Sequence, residues 1–187
     1  MKTLERGFKA WAERTSVAIR KELELGVEDK LDPFKFSEYL GAKLLTPEEV
    51  PGITTEILNQ LYSDPFGWSA TSLRINEKSI VIYNPKHSSG RQASDIVHEL
   101  AHDLLSHQPA TLIVSLELEN VNMRSFDQKQ EDEANCLAWT LLVPRDGLLK
   151  ATLRKRTKEE IALQFGVTET LVNFRLRTTG IMRQVRY

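Results

Sequence analysis

At 187 residues the chain is long enough for one ample domain, or for a domain with a small appendage. Its 25 Lys and Arg stand against 26 Asp and Glu, so the net charge of −1 supplies no global field to drive binding to nucleic acid or a membrane. A single cysteine excludes an internal disulfide and argues against Cys-based zinc ligation. No apolar run reaches the length of a membrane span, and the charged N-terminus lacks the apolar core of a secretory signal, so the expected compartment is the cytoplasm.

Taken in order, Leu4 to Leu25 reads as an amphipathic helix, with Gly26 as its stop. Asp32-Pro33 caps and opens a short helix, Phe34 to Leu40. Ala42 to Leu45 is a candidate strand. Thr54 or Thr55 caps a helix running through Tyr62. Ala70 to Ile75 and Ser79 to Tyr83 form a predicted hairpin around a three-residue turn, Asn76-Glu77-Lys78. Leu112 to Glu119 alternates apolar and polar residues with a strand period. Gln128 to Val143 is a strong helix that ends before Pro144. Thr157-Lys158-Glu159-Glu160 is a capping box opening a helix through Phe165, which Gly166 ends. Thr168 caps a further helix, Glu169 to Thr178, ended by Gly180.

The most informative stretch is Asp95 to Leu105, which contains His98-Glu99-Leu100-Ala101-His102 in an apolar, helix-favouring run. Residues four apart on a helix share a face, so His98 and His102 can bind one metal ion. Glu99, one residue round, is left to act on water beside the metal. Catalytic zinc sites take three protein ligands, so one is missing. His107 lies about 140° round the helix from His102, the wrong face, and no glycine intervenes to break the helix first. It reads as a surface histidine or one that supports the ligands. Glu131 and Glu133 remain, and a glutamate from a later helix fits the order; Glu131 is favoured. Asn135, one turn on, could hydrogen-bond a ligand imidazole. An acidic first turn is also explained by the helix dipole, so Glu133 stays open as the alternative.

Two blocks carry a resemblance: His98 to His107, and Glu131-Asp132-Glu133-Ala134-Asn135-Cys136-Leu137-Ala138 continuing to Pro144. Together they resemble the ImmA/IrrE metallopeptidases. Leu137, Val143 and Ala101 replace that family's usual Phe, Met and Gly, and all three are mild exchanges. Arg91 matches an arginine often found ahead of the metal helix. The resemblance implies a zinc site of the gluzincin type, with His98, His102 and Glu131 as ligands and Glu99 as general base. It further implies cleavage of a partner protein, often a helix-turn-helix repressor. Some members carry a repressor-like domain at the N-terminus; none is evident here. Tyr83, His87 and Arg91 are candidates to stabilise the oxyanion by sequence proximity only.

From Leu148 to Tyr187 there are nine Lys and Arg against three Glu, a net of +6. Ile161 to Leu176 has a helix-turn-helix look, but Val172 to Arg177 is poor in residues that read bases, so DNA binding is not the favoured reading. The expected fold is α+β. A mostly helical, zincin-like domain with a small hairpin or sheet spans residues 1–147, and a basic helical segment spans 148–187. The expected activity is zinc-dependent endopeptidase action. Its rivals are a DNA- or regulator-binding protein with an inactive or structural metal site, and a toxin-like partner in a two-gene module. The sequence leaves the substrate, the trigger and the oligomeric state open.

Overall fold

The computed structural model describes residues 3–64, 67–75, 78–107 and 127–185. It is an α+β fold built on helices α1 (Phe8–Glu22), α2 (Pro33–Leu40), α3 (Thr55–Ser63), α4 (Ser89–Leu104), α5 (Gln128–Leu142), α6 (Arg145–Leu153), α7 (Lys158–Phe165), α8 (Glu169–Thr178) and α9 (Ile181–Gln184). Strands β1 (Lys43–Leu45), β2 (Ala70–Ile75) and β3 (Lys78–Tyr83) form one sheet in the order β1-β3-β2. β1 runs parallel to β3, and β2 antiparallel to it. The predicted strand over Leu112 to Glu119 lies outside the described residues.

Two helices form the centre. α4 buries Ala93, Ile96, Val97, Leu100 and Ala101, and α5 buries Ala134, Leu137, Ala138, Leu141 and Leu142; the two pack along each other. α1 lies on the other flank of α5. The sheet and α2 cover α4, with Val81 of β3 fully buried among them. Residues in register across antiparallel strands point to one face. Ser72 pairs with Val81, so its side chain points at α4 too.

Side-chain caps mark five of the described helix starts. Asp32, Thr54, Asp127 and Thr168 each accept a backbone N–H from the first turn of the helix they precede. Thr157 and Glu160 complete a reciprocal capping box. Some endings differ from expectation. α1 stops at Glu22, before Gly26, because Glu24 itself adopts the left-handed conformation at φ 56°. The hairpin pairs Ile75 with Lys78, one residue tighter than a three-residue turn. α8 does end ahead of Gly180 as expected, with that glycine left-handed at φ 71°, and the same residue also opens α9. α6 was not foreseen: Pro144 reads as a helix end, yet it is also the N-cap of the next helix.

The C-terminal helices share the core. Ile161, Phe165, Leu171, Val172 and Ile181 belong to the same buried cluster as Leu137 and Leu141. The Phe174 ring meets Trp139 of α5 edge-on at 4.3 Å. Arg175 is buried, donating to the Val143 carbonyl at 2.9 Å and to Glu13 of α1 at 2.6 Å. At Gly90 a Cβ would stand 2.8 Å from the backbone of Val167, so the start of α4 abuts the α7–α8 turn. The boundary expected at 147/148 falls within α6.

Candidate metal centre

His98 and His102 lie one turn apart on α4, and Glu131 reaches them from the first turn of α5. His98 Nε2 is 3.1 Å from His102 Nε2 and 3.3 Å from a Glu131 oxygen; His102 Nε2 is 3.5 Å from the other. A tetrahedral zinc with bonds of about 2.0–2.1 Å holds its donors about 3.3 Å apart. The observed spacings bracket that value, so these three side chains fit a single zinc ion. Among the described residues this is the one group of His, Cys, Asp and Glu close enough to hold a metal. Its side chains keep 16–32% of their exposure, so the site opens to solvent.

The three consecutive acids at the start of α5 have separate partners. Glu131 faces both histidines. Asp132 is buried against the N-terminal segment and accepts the Thr3 hydroxyl at 2.8 Å. Glu133 accepts from His107 Nε2 at 3.2 Å. The helical turn of about 100° per residue divides them. Burial disfavours the charged form of His98, but the hydrogen bond to Glu131 and the charges of Glu99, Glu131 and Asp95 outweigh it. Together they raise its pKa above the ordinary histidine value.

Glu99 is half-buried beside the cluster. Its Oε2 accepts a hydrogen bond from Ser72 Oγ at 2.6 Å. Arg74, two residues along β2, pairs with Asp103 of α4, so this strand is tied to the helix at two points. Ser72 was missed in the sequence; its register with buried Val81 is the signal that finds it.

The remaining candidates stand apart from the cluster. His87 Nδ1 meets Asp95 Oδ2 at 3.2 Å, and Arg91 lies 3.7 Å from the same oxygen while donating to Ser69 Oγ at 2.9 Å. Burial raises the Asp95 pKa against the pull of His87 and Arg91. Tyr83 packs edge-on against Phe34 at 5.9 Å, and burial together with Glu49 and Glu48 raises its pKa. Asn135 is half-buried on α5 and makes no hydrogen bond to either histidine among the described residues. His107 occupies that supporting place: its Nδ1 is 3.0 Å from His102 Nδ1. A continuing helix would put it on the wrong face. α4 ends at Leu104 instead, and Ser106 at φ 54° swings His107 back beneath His102.

Fold and site together define an α+β domain in which two helices bring His, His and Glu to one point beside a spare carboxylate. The chain belongs to the peptidase family described as the IrrE N-terminal-like domain, whose model matches residues 52–177. No curated protein matches it. A solved structure of a Mycobacterium tuberculosis transcriptional regulator is similar with a TM-score of 0.54 and 16% identity, covering 92% of this chain and 46% of that one. That likeness concerns the fold alone, and this chain spans less than half of that regulator's length. Among the described residues no helix is long and apolar enough to cross a membrane.

Proposed function

We propose that the chain is a zinc-dependent endopeptidase that hydrolyses a peptide bond in a partner protein, with a helix-turn-helix repressor as the first substrate to test. The observation that carries this reading is the 3.1–3.5 Å spacing of His98, His102 and Glu131 with Glu99 alongside. Membership of a peptidase family supports it. Zinc bound by the three side chains supplies Lewis acidity, which polarises a carbonyl and acidifies water.

Glu99 takes the proton of the attacking water and delivers it to the amine nitrogen as the C–N bond breaks. The Ser72 hydroxyl aims the Glu99 carboxylate without consuming its second oxygen. β2 lies at the edge of the sheet among the described residues, and an extended substrate segment can add to such an edge by main-chain hydrogen bonds. On the C-terminal side, α8 buries Leu171, Val172, Arg175 and Leu176. That burial favours a packed or repressor-docking role over insertion into a DNA groove.

The test is metal analysis of wild type and Glu99→Gln, with cleavage of a candidate repressor. Both forms should hold one zinc, and only wild type should cut. A chain that takes up no stoichiometric metal after repletion overturns the reading. Full activity in Glu99→Gln removes Glu99 from the base role. Salt-dependent duplex binding without cleavage would point to the DNA-binding alternative.

A further inference from the structure

We propose that His107 and Glu133 are positioning residues that hold His102 in its metal-binding tautomer. The inference rests on the reading of His98, His102 and Glu131 as ligands. It concerns two side chains outside that trio, both well covered, with side-chain exposures of 8% and 15%.

The geometry is a chain of three groups. Glu133 Oε2 lies 3.2 Å from His107 Nε2, and His107 Nδ1 lies 3.0 Å from His102 Nδ1. The two imidazole planes meet at 67°, with centroids 5.0 Å apart. The backbone fixes His107 as well, because its N–H donates to the His102 carbonyl at 3.0 Å.

Donor and acceptor roles follow link by link. An ionised carboxylate only accepts, so the hydrogen in the first link sits on His107 Nε2. A His107 ring carrying that single hydrogen presents a bare lone pair at Nδ1. The second link therefore needs a hydrogen on His102 Nδ1. His102 Nε2 is left with its lone pair, and that is the atom facing His98 and Glu131. The tautomer that can bind a metal at this position is the one the chain selects. An imidazole ligand whose second nitrogen is held in this way binds more tightly, and losing the partner typically lowers metal affinity by about 10–100-fold. His98 has no equivalent support: its Nδ1 is buried without a hydrogen-bond partner among the described residues. The support therefore acts on one ligand of the three.

Two readouts decide this. The first is the tautomer, from nitrogen chemical shifts of labelled imidazoles in the metal-free full chain. Wild type should carry hydrogen on His102 Nδ1 and His107 Nε2, and Glu133→Leu should mix the tautomers of both rings. The second is zinc affinity, by competition with a chromophoric chelator. His107→Ala should bind at least tenfold more weakly, about the lower end of the range for such supports. His107→Gln, whose side-chain oxygen can accept from His102 Nδ1, should recover most of the loss. A His102 that carries hydrogen on Nε2 in wild type overturns the proposal. So does a folded His107→Ala that binds zinc as tightly as wild type. A wild-type chain that takes up no zinc overturns the ligand reading instead, and the tautomer measurement still decides this one.

Discussion

Ser72 Oγ donates to Glu99 Oε2 across 2.6 Å, joining an edge strand of the described sheet to the helix that bears both histidines. A hydroxyl that holds a general base should influence turnover more than substrate binding. Ser72→Ala is expected to lower kcat about tenfold, in line with roughly 1.4 kcal/mol for one hydrogen bond to a charged group. KM and zinc content should stay near wild type, and Ser72→Thr should retain most activity. A fall confined to KM would assign Ser72 to substrate contact instead.

Glu131 and Glu133 differ by two residues and should differ sharply in consequence. Glu131 lies against His98 and His102, whereas Glu133 meets His107, with Lys129 3.9 Å from its other oxygen. Glu131→Ala removes one of three donors and should lower zinc affinity by more than about a hundredfold, beyond the loss typical of a supporting residue. Glu133→Ala should weaken it less. The chelator competition that ranks these two variants checks the assignment, and the reverse ranking would exchange their roles.

Much of this arrangement is legible in the sequence where the cause is local. The Asp32, Thr54 and Thr168 caps, the capping box at Thr157 and the four-residue spacing of the histidines each act within one or two turns. Helix endings are less legible. Three non-glycine residues, Glu24, Ser106 and Lys155, adopt positive φ and close their helices as glycine would. Each donates one of the two reverse hydrogen bonds of that motif and the next residue donates the other, as in Glu24 N–H to the Lys21 carbonyl and Leu25 N–H to the Arg20 carbonyl. A rule that waits for glycine runs α1 to Gly26 and turns His107 away from the site. The contact between Ser72 and Glu99 depends on strand register against α4, which lies beyond local pattern.

Arg20 fastens α1 to the end of the helix that carries Glu131. Its guanidinium is buried and donates to the carbonyls of Gly26, Asp29 and Leu141, each at 2.9 Å. Burial lowers its pKa to about 10, against the opposing charge of Asp29. Arg20→Ala would remove three hydrogen bonds to carbonyls, and hydrogen bonds to a charged group contribute about 1.5–3 kcal/mol each, not fully additively. A loss of at least about 3 kcal/mol in a denaturant melt is expected. Arg20→Lys should recover little, because one ammonium cannot span both sides of the fork. A near-neutral Arg20→Lys would contradict the capping role.

Asp132 ties the N-terminal segment to α5 and should make stability depend on acid. Burial pushes its carboxyl up, but hydrogen bonds from Thr3 and Gln128 pull it further down, to about 2 from 3.8. A carboxylate whose folded pKa is depressed stabilises fully above its unfolded value and loses that contribution as pH falls through the folded one. The window is therefore from about pH 4 down to about pH 2. Thr3→Val removes the hydroxyl bond and should cost about 1 kcal/mol at pH 7, or about 2–4 °C in Tm for a chain of this size. The difference from wild type should shrink toward zero at pH 2. A Thr3→Val penalty that persists unchanged at pH 2 would place its origin outside the Asp132 bond.

Ser106 is where fold and site meet most closely. It sits at φ 54°, follows the last turn of α4, and delivers His107 to His102 Nδ1. Holding a non-glycine residue there costs roughly 1 kcal/mol. Glycine removes that strain but loosens the unfolded chain by a similar amount, so Ser106→Gly should leave Tm within about 2 °C and zinc affinity unchanged. Valine is branched at Cβ and disfavours positive φ more strongly. Ser106→Val should lose about 2 kcal/mol of stability and, by swinging His107 away, weaken zinc binding as His107→Ala does. Thermal melts and chelator competition on the same two proteins separate the effects. If Ser106→Val lowers Tm yet binds zinc as tightly as wild type, the helix ending serves the fold alone and does not place the imidazole.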